Sequence, residues 1–286
     1  MGEFQRYNQI VQLLEKRKEL SIEELSKLLY ASPSTVRRDL TALEKEGVLK
    51  RVRGGTVFLK SNATDLPAYI RTAKCLQEKE TIADIALRFV ENRTTYFFDS
   101  SSTCCVLAQK LNPHLHGIIA TNGIDTISTL QDRENVQVIS TGGEVRMNYA
   151  ELTGHITLST IRQLHADTFF FSCSGISAAG PTEANEANMA VKMLFHQHAR
   201  RSILLCDSSK FGLEFFYYSV PFSEIDFVIT IRSHRTHDSW NFWTESCSFP
   251  RHERKDNAHN TDLSQRLRRR IGRPAGNTGN PAEGRC

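Results

Sequence analysis

Five short polar runs recur through the middle of this chain wherever a hydrophobic run stops: Asp99-Ser100-Ser101-Ser102-Thr103, Thr121-Asn122-Gly123, Thr141-Gly142-Gly143, Ser172-Cys173-Ser174-Gly175 and Asp207-Ser208-Ser209-Lys210. Hydroxyls and free backbone N–H groups at the start of a helix can ring an anion, with a phosphoryl group the natural candidate, and Lys210 adds a cation. Taken singly, such a turn is an ordinary helix cap; five strand ends brought to one edge make a site. The rival chemistry is proton transfer on a sugar phosphate, for which Asp99, Asp207, Glu183 and Glu186 supply carboxylates. Acidic residues near a helix start more often complement its dipole.

A second constellation lies in Ser32–Gly47. Ser32 is placed as N-cap, Pro33 at the first helical position and Gly47 at the stop. At about 100° per residue, Val36, Leu40 and Leu43 share one stripe. Ser34, Arg38 and Thr41 fall opposite it, with Thr35 and Arg37 in the same amino-terminal turns. A helix that packs on one side and shows Ser, Thr and Arg on the other fits the major groove of double-stranded DNA, where arginine pairs with guanine or phosphate. Lys50, Arg51 and Arg53 follow in two β-rich runs separated by Gly54-Gly55, a hairpin or wing whose cations would lie near phosphates.

These residues need elements to hold them. Tyr7, Ile10, Val11 and Leu14 predict a first helix over about 4–16. Ser21 with Glu24 forms a capping box for a second, running to about Leu29 with Ile22, Leu25, Leu28 and Leu29 inward. Only Tyr30 and Ala31 separate it from the cap of the third, the short connection of a helix-turn-helix. Downstream, strands at 95–98, 118–120, 136–139, 168–171 and 203–205 alternate with helical periodicity, which implies a parallel sheet covered on both faces, its carboxyl-end loops gathered at one edge. The fold class is therefore α/β: a winged helix-turn-helix over 1–60, a linker at 61–73 and a doubly wound, mostly parallel domain at 74–230.

Composition agrees. The 286 residues are 40% hydrophobic and 24% charged, as expected of a globular chain. No apolar run reaches the length of a membrane span, and the start lacks the apolar core of a signal peptide, so a cytoplasmic protein without a membrane partner is expected. The seven cysteines show no zinc spacing and no disulfide framework; neither a metal nor a cofactor is expected. Net charge is +4, distributed as +4 over 1–60, −5 over 61–230 and +5 over 231–286, a basic head on an acidic body.

The pattern Ser-x-x-Thr-Val-Arg-Arg-Asp-Leu-x-x-Leu-Glu-x-x-Gly-x-Leu-x-Arg-x-x-Gly-Gly, from Ser32 to Gly55, resembles the winged-helix domain of the DeoR family of bacterial transcription regulators. The body resembles that family's sensor domain, itself similar to sugar-phosphate isomerase and CoA-transferase folds. Asp99–Thr103, Thr121-Asn122, Gly142-Gly143 with Arg146, Asp167, Gly175-Ile176, Lys192 and Asp207–Gly212 carry the likeness, which covers about residues 3–230 and departs at Ser101, where the family usually has glycine. The resemblance implies that Arg37 and Arg38 face DNA and that the chain is a non-enzymatic regulator. It further implies repression of a carbohydrate operon, released by a phosphorylated sugar held by Asp99, Ser100, Ser101, Ser102, Thr103, Thr121, Asn122, Gly142, Gly143, Lys192, Asp207 and Lys210, in a homo-oligomer, dimer or tetramer. A sugar-phosphate isomerase carrying a DNA-binding head is the alternative.

After Thr230 the chain changes character. Scattered Trp, His and Arg and the run Arg266-Leu267-Arg268-Arg269-Arg270 carry no apolar period. Residues 231–286 read as an uncompacted segment left by a reading-frame change near Thr230; a natural basic tail is the other reading.

Overall fold

The computed structural model describes residues 2–17, 19–52, 55–58, 65–231 and 247–248. The expected frame-changed tail, 231–286, lies outside the described residues apart from Ile231 and Cys247–Ser248.

The head consists of α1 (Glu3–Arg17), β1 (Glu19–Leu20), α2 (Ile22–Leu29), α3 (Pro33–Lys45), β2 (Leu49–Val52) and β3 (Gly55–Phe58). The capping box closes α2 reciprocally: Glu24 N–H donates to Ser21 Oγ (3.1 Å) and Ser21 N–H to Glu24 Oε2 (2.8 Å). Ser32 Oγ accepts from Thr35 N–H at 3.2 Å to start α3. Gly47, at φ 70°, ends it in the left-handed region, with Val48 N–H returning to Leu43 O at 3.0 Å. Leu25, Leu29, Val36, Leu40 and Leu43 pack with Ile10 and Leu14 of α1 into one core. The strands pair antiparallel in the order β1-β3-β2, and Arg51 lies opposite Thr56 in the wing.

Of the expected linker, 61–64 lies outside the described residues and Ala68–Ala73 forms a short helix, α4. Its Ile70 is buried in the head core, and the Tyr69 ring packs at a tilt against Phe4 and Tyr7, 5.1 and 5.8 Å between ring centroids.

The body begins with α5 (Leu76–Ala86) and continues β4 (Thr94–Phe98), α6 (Ser102–Lys110), β5 (Gly117–Thr121), α7 (Ile124–Leu130), β6 (Val136–Ser140), a hairpin of β7 (Glu144–Arg146) and β8 (Glu151–Thr153), and α8 (Gly154–Ile161). Then come β9 (Ala166–Phe171), β10 (Gly175–Ile176), β11 (Pro181–Glu183), α9 (Glu186–Gln197), β12 (Ala199–Leu205), β13 (Tyr217–Tyr218), β14 (Phe227–Ile229) and β15 (Cys247–Ser248). The main sheet has the order β15-β14-β12-β9-β4-β5-β6, all parallel except the β14–β15 pair. The chain order reverses between β4 and β9, which defines the switch point at whose carboxyl edge α/β sheets bind ligands. Strand residues alternate between two cores, as a period of two requires. Tyr96, Phe98, Phe170, Ile203 and Leu205 face α5 and α6, while Phe97, Phe169, Phe171 and Leu204 face α8 and α9.

Candidate functional site: a basic helix face and a charged strand-end edge

On α3 the side chains of Ser34, Arg37, Arg38 and Thr41 are exposed and Thr35 is half-buried, opposite the buried Val36, Leu40 and Leu43. Asp39 is fully buried on the packing side. Its carboxylate accepts from Arg6 Nε at 2.7 Å and Arg6 Nη2 at 3.0 Å, a bidentate pair that fixes α3 to α1 and so sets the direction in which Arg37 and Arg38 project. In the wing, Lys50 is exposed. Arg51 instead donates from Nε to Glu44 Oε2 at 2.6 Å and from Nη1 to Thr41 Oγ1 at 3.2 Å, tying β2 to α3. Thr41 Oγ also bonds back to Arg37 O at 2.8 Å. Arg53 lies outside the described residues.

The strand-end loops do come together, and hydrogen bonds join them. Asp99, 1% exposed, accepts from Ser101 N–H and from Ser172 N–H, each at 3.0 Å, so one carboxylate spans the switch point between β4 and β9. Ser101 caps α6 through Cys104 N–H at 3.2 Å, and Ser102 Oγ donates to Arg71 O of α4 at 3.2 Å. Thr121 Oγ accepts from Gly123 N–H at 3.0 Å, and Asn122 Nδ2 donates to Leu152 O at 3.1 Å. The buried hydroxyl of Thr103 and the Oδ1 of Asn122 have no hydrogen-bond partner. Gly142 and Gly143 both have positive φ. A Cβ on Gly143 would lie 2.2 Å from Thr157 Oγ1 and 2.4 Å from Thr153 O, so only glycine fits there.

Lys192 is buried, 2.6 Å from Glu183 and 3.6 Å from Asp99. Burial opposes its charge, but Glu183 and Asp99 outweigh that and hold its pKa above the usual lysine value. Lys210 donates to Cys173 O and, at 3.4 Å, to Ser172 Oγ. Burial likewise opposes ionisation of Asp207, yet Lys210 and the Ser209 hydroxyl keep its pKa below the usual carboxylate range.

Four charged groups of this edge lie outside the residues expected there from the sequence. Lys79 of α5, 3% exposed, donates to Arg71 O and, at 2.7 Å, to Lys74 O. Burial, then the like charge of Lys210, pushes its pKa down to about 7. Arg71 donates to Tyr149 O at 2.7 Å. Glu151 is fully buried, 2.6 Å from Arg146 and accepting from Ser100 Oγ at 3.2 Å; burial raises its pKa against the pull of Arg71 and Arg146. Asp65 accepts from Asn188 and Asn185. The carboxylates Asp65, Asp99, Glu151, Glu183 and Asp207 thus face the cations Arg71, Lys79, Arg146, Lys192 and Lys210. A separate cavity lined by Leu87, Val90, Asn92, Lys110 and Pro113 sits at the opposite, amino end of β4 and β5. No group of His, Cys, Asp and Glu among the described residues is arranged to hold a metal ion.

A winged helix-turn-helix with an exposed basic helix, joined to a parallel α/β domain with a charged strand-end site, defines a ligand-sensing DNA-binding regulator. Residues 6–62 match the DeoR-like helix-turn-helix domain and residues 74–232 the DeoR C terminal sensor domain; the chain belongs to the DeoR family of transcription regulators. It is 35% identical over 231 residues to the HTH-type transcriptional regulator GolR of Listeria innocua, covering 80% of this chain and 91% of that protein. It is 32% identical over 231 residues to the glycerol-3-phosphate regulon repressor of Escherichia coli (80% and 91% covered). Identity to the L-fucose operon activator of Escherichia coli is 34% over 210 residues (72% and 86% covered). Among the described residues no helix is long and apolar enough to cross a membrane.

Proposed function

We propose that this regulator represses a carbohydrate-metabolism operon and leaves its operator when a phosphorylated sugar occupies the strand-end site. The observation that carries the reading is the meeting of Ser- and Gly-rich strand ends with Lys79, Lys210 and Arg71 on one edge of the sheet, beside a helix that belongs to the head core. The likeness to a glycerol-3-phosphate regulon repressor supports the ligand class. Within the site, Ser102 and Lys210 are the direct ligand candidates, because each side chain reaches only backbone carbonyls or a hydroxyl. Asp99, Asp207 and Lys192 brace the loops. Arg38 and Arg37 read the major groove, Lys50 contacts phosphate, and Arg51 positions the wing through Glu44. A symmetric pair of subunits presents two such helices to operator half-sites, and the ligand biases their arrangement.

The chain acts as a regulator without turnover. Isomerisation needs a carboxylate ready to take a proton, but Glu183 is paired with Lys192, and Asp99 and Asp207 accept backbone N–H groups. Thermal-shift screening against phosphorylated sugars tests the ligand class, since a ligand at 100 times its Kd adds about 2.7 kcal/mol of stability. Gel shifts on the DNA upstream of the regulated operon, with and without the best ligand, test release. Tight operator binding that no phosphorylated sugar alters would overturn the proposal, as would turnover of such a sugar.

A further inference from the structure

Asp65 lies three residues before α4, on the segment that leads from the wing to the sensor, and is 9% exposed. Asn188 Nδ2 reaches its carboxylate at 3.3 Å and Asn185 Nδ2 at 3.4 Å. Asn185 is the N-cap of α9, so a carboxylate carried by the connecting segment rests at the positive end of a sensor helix. The charge of Asp65 also bears on the buried carboxylates Glu151 and Glu183.

With every group ionised the five carboxylates and five cations of the strand-end edge sum to a formal charge of zero, and the partial deprotonation of Lys79 near pH 7 only makes that sum more negative. A phosphoryl group brings about −1.5 to −2 into this largely buried place, and uncompensated buried charge is strongly unfavourable. Protonating the buried Glu151 or Glu183, whose pKa values burial raises, would relieve that charge, and so would the departure of a carboxylate; the five are not held equally. Glu151 and Glu183 each have a cation at 2.6 Å. Asp99 accepts two backbone N–H groups at 3.0 Å, and Asp207 accepts Ser209 N–H at 3.0 Å as well as the Ser209 hydroxyl. Asp65 has the two long amide contacts and no ion pair among the described residues.

We propose that Asp65 is an internal counter-anion which an entering phosphoryl group expels, and that its departure unpins the segment joining the DNA-binding head to the sensor. This rests on the ligand class proposed above. The segment is well placed to pass the change on: Ile70 is part of the head core, while Ser102 and Lys79 hold Arg71 O from the sensor side.

The test uses the full chain with inorganic phosphate as probe, comparing wild type, Asp65→Asn and Asn188→Ala. Phosphate affinity is read by thermal shift, and hydrogen–deuterium exchange is followed over residues 65–73. Asp65→Asn should bind phosphate more tightly by roughly tenfold, about 1.4 kcal/mol. Asn188→Ala, which keeps the carboxylate but loosens its seat, should bind more tightly by a smaller factor. In wild type, exchange over 65–73 should rise with phosphate to the level that Asp65→Asn shows without it. Equal or weaker phosphate binding by both variants, or exchange that phosphate leaves unchanged or slows, overturns the displacement while leaving the ligand class standing. Failure of wild type and both variants to bind phosphate or any phosphorylated sugar overturns both.

Discussion

Replacing Arg6 by alanine should unseat α3 without touching any residue on its exposed face. The Asp39 carboxylate is fully buried, and the guanidinium that satisfies it, at 2.7 and 3.0 Å, belongs to another helix. Removing one partner of a buried pair costs about 3–5 kcal/mol, because the remaining charge is left without compensation. The Arg6 side chain is 12% exposed, so water can follow the truncation, and we expect the lower end, about 3 kcal/mol. Arg6→Met combined with Asp39→Leu removes both charges and should regain most of that loss. Native-state hydrogen exchange of the α3 amides reports the opening free energy of the head separately from that of the sensor. A loss below about 1 kcal/mol, ordinary for an exposed pair, would refute the role given to Asp39. Strict additivity of the two single substitutions would refute it equally.

Arg38→Ala should cost about 1–3 kcal/mol of operator affinity if it reads a base, whereas Lys50→Ala should weaken all DNA alike and lower the salt slope by about one; wild-type gel shifts for both would refute the assignment of faces. Lys210→Ala and Ser102→Ala should each blunt ligand-induced release while leaving ligand-free operator binding intact; loss of both together would point to misfolding. Lys79 gives a pH signature. Its folded pKa of about 7 lies below the unfolded value of 10.5, so the folded state holds fewer protons between the two. Its contribution should therefore grow as pH rises from about 7, by at most about 1.4 kcal/mol per pH unit. Urea midpoints at pH 7, 8.5 and 10 should show that rise in wild type and lose it in Lys79→Met; an equal rise in both would exclude Lys79 as its source.

Much of this architecture was legible because local signals and global packing agree. The Ser21–Glu24 box, the Ser32 cap and Gly47 mark helix ends by short-range chemistry, and each forms the bonds expected of it. The parallel strands announce themselves through apolar runs ending in polar turns. Two of the charged groups left out of the sequence reading had a readable trace. Asp39 lies at 36, 39, 40, 43 and Lys79 at 79, 82, 83, 86, each a charge on an otherwise apolar stripe, and both are buried. Asp65 and Arg71 left no trace, because their partners, Asn188 and Tyr149, are more than 70 residues away with no periodicity to connect them. The pairing of Arg51 with Glu44 across the turn is equally invisible, since a wing arginine looks the same whether it meets DNA or its own helix.

The placement of Ile70 in the head core has a consequence for synthesis. Everything the head buries is contained in the chain up to about that residue, whereas the parallel sheet needs β14, which ends at Ile229. At about 5–20 residues per second, the roughly 160 residues between them take on the order of ten to thirty seconds to emerge. On the ribosome, every residue of the head core is therefore available to pack well before the last strand of the sensor sheet exists.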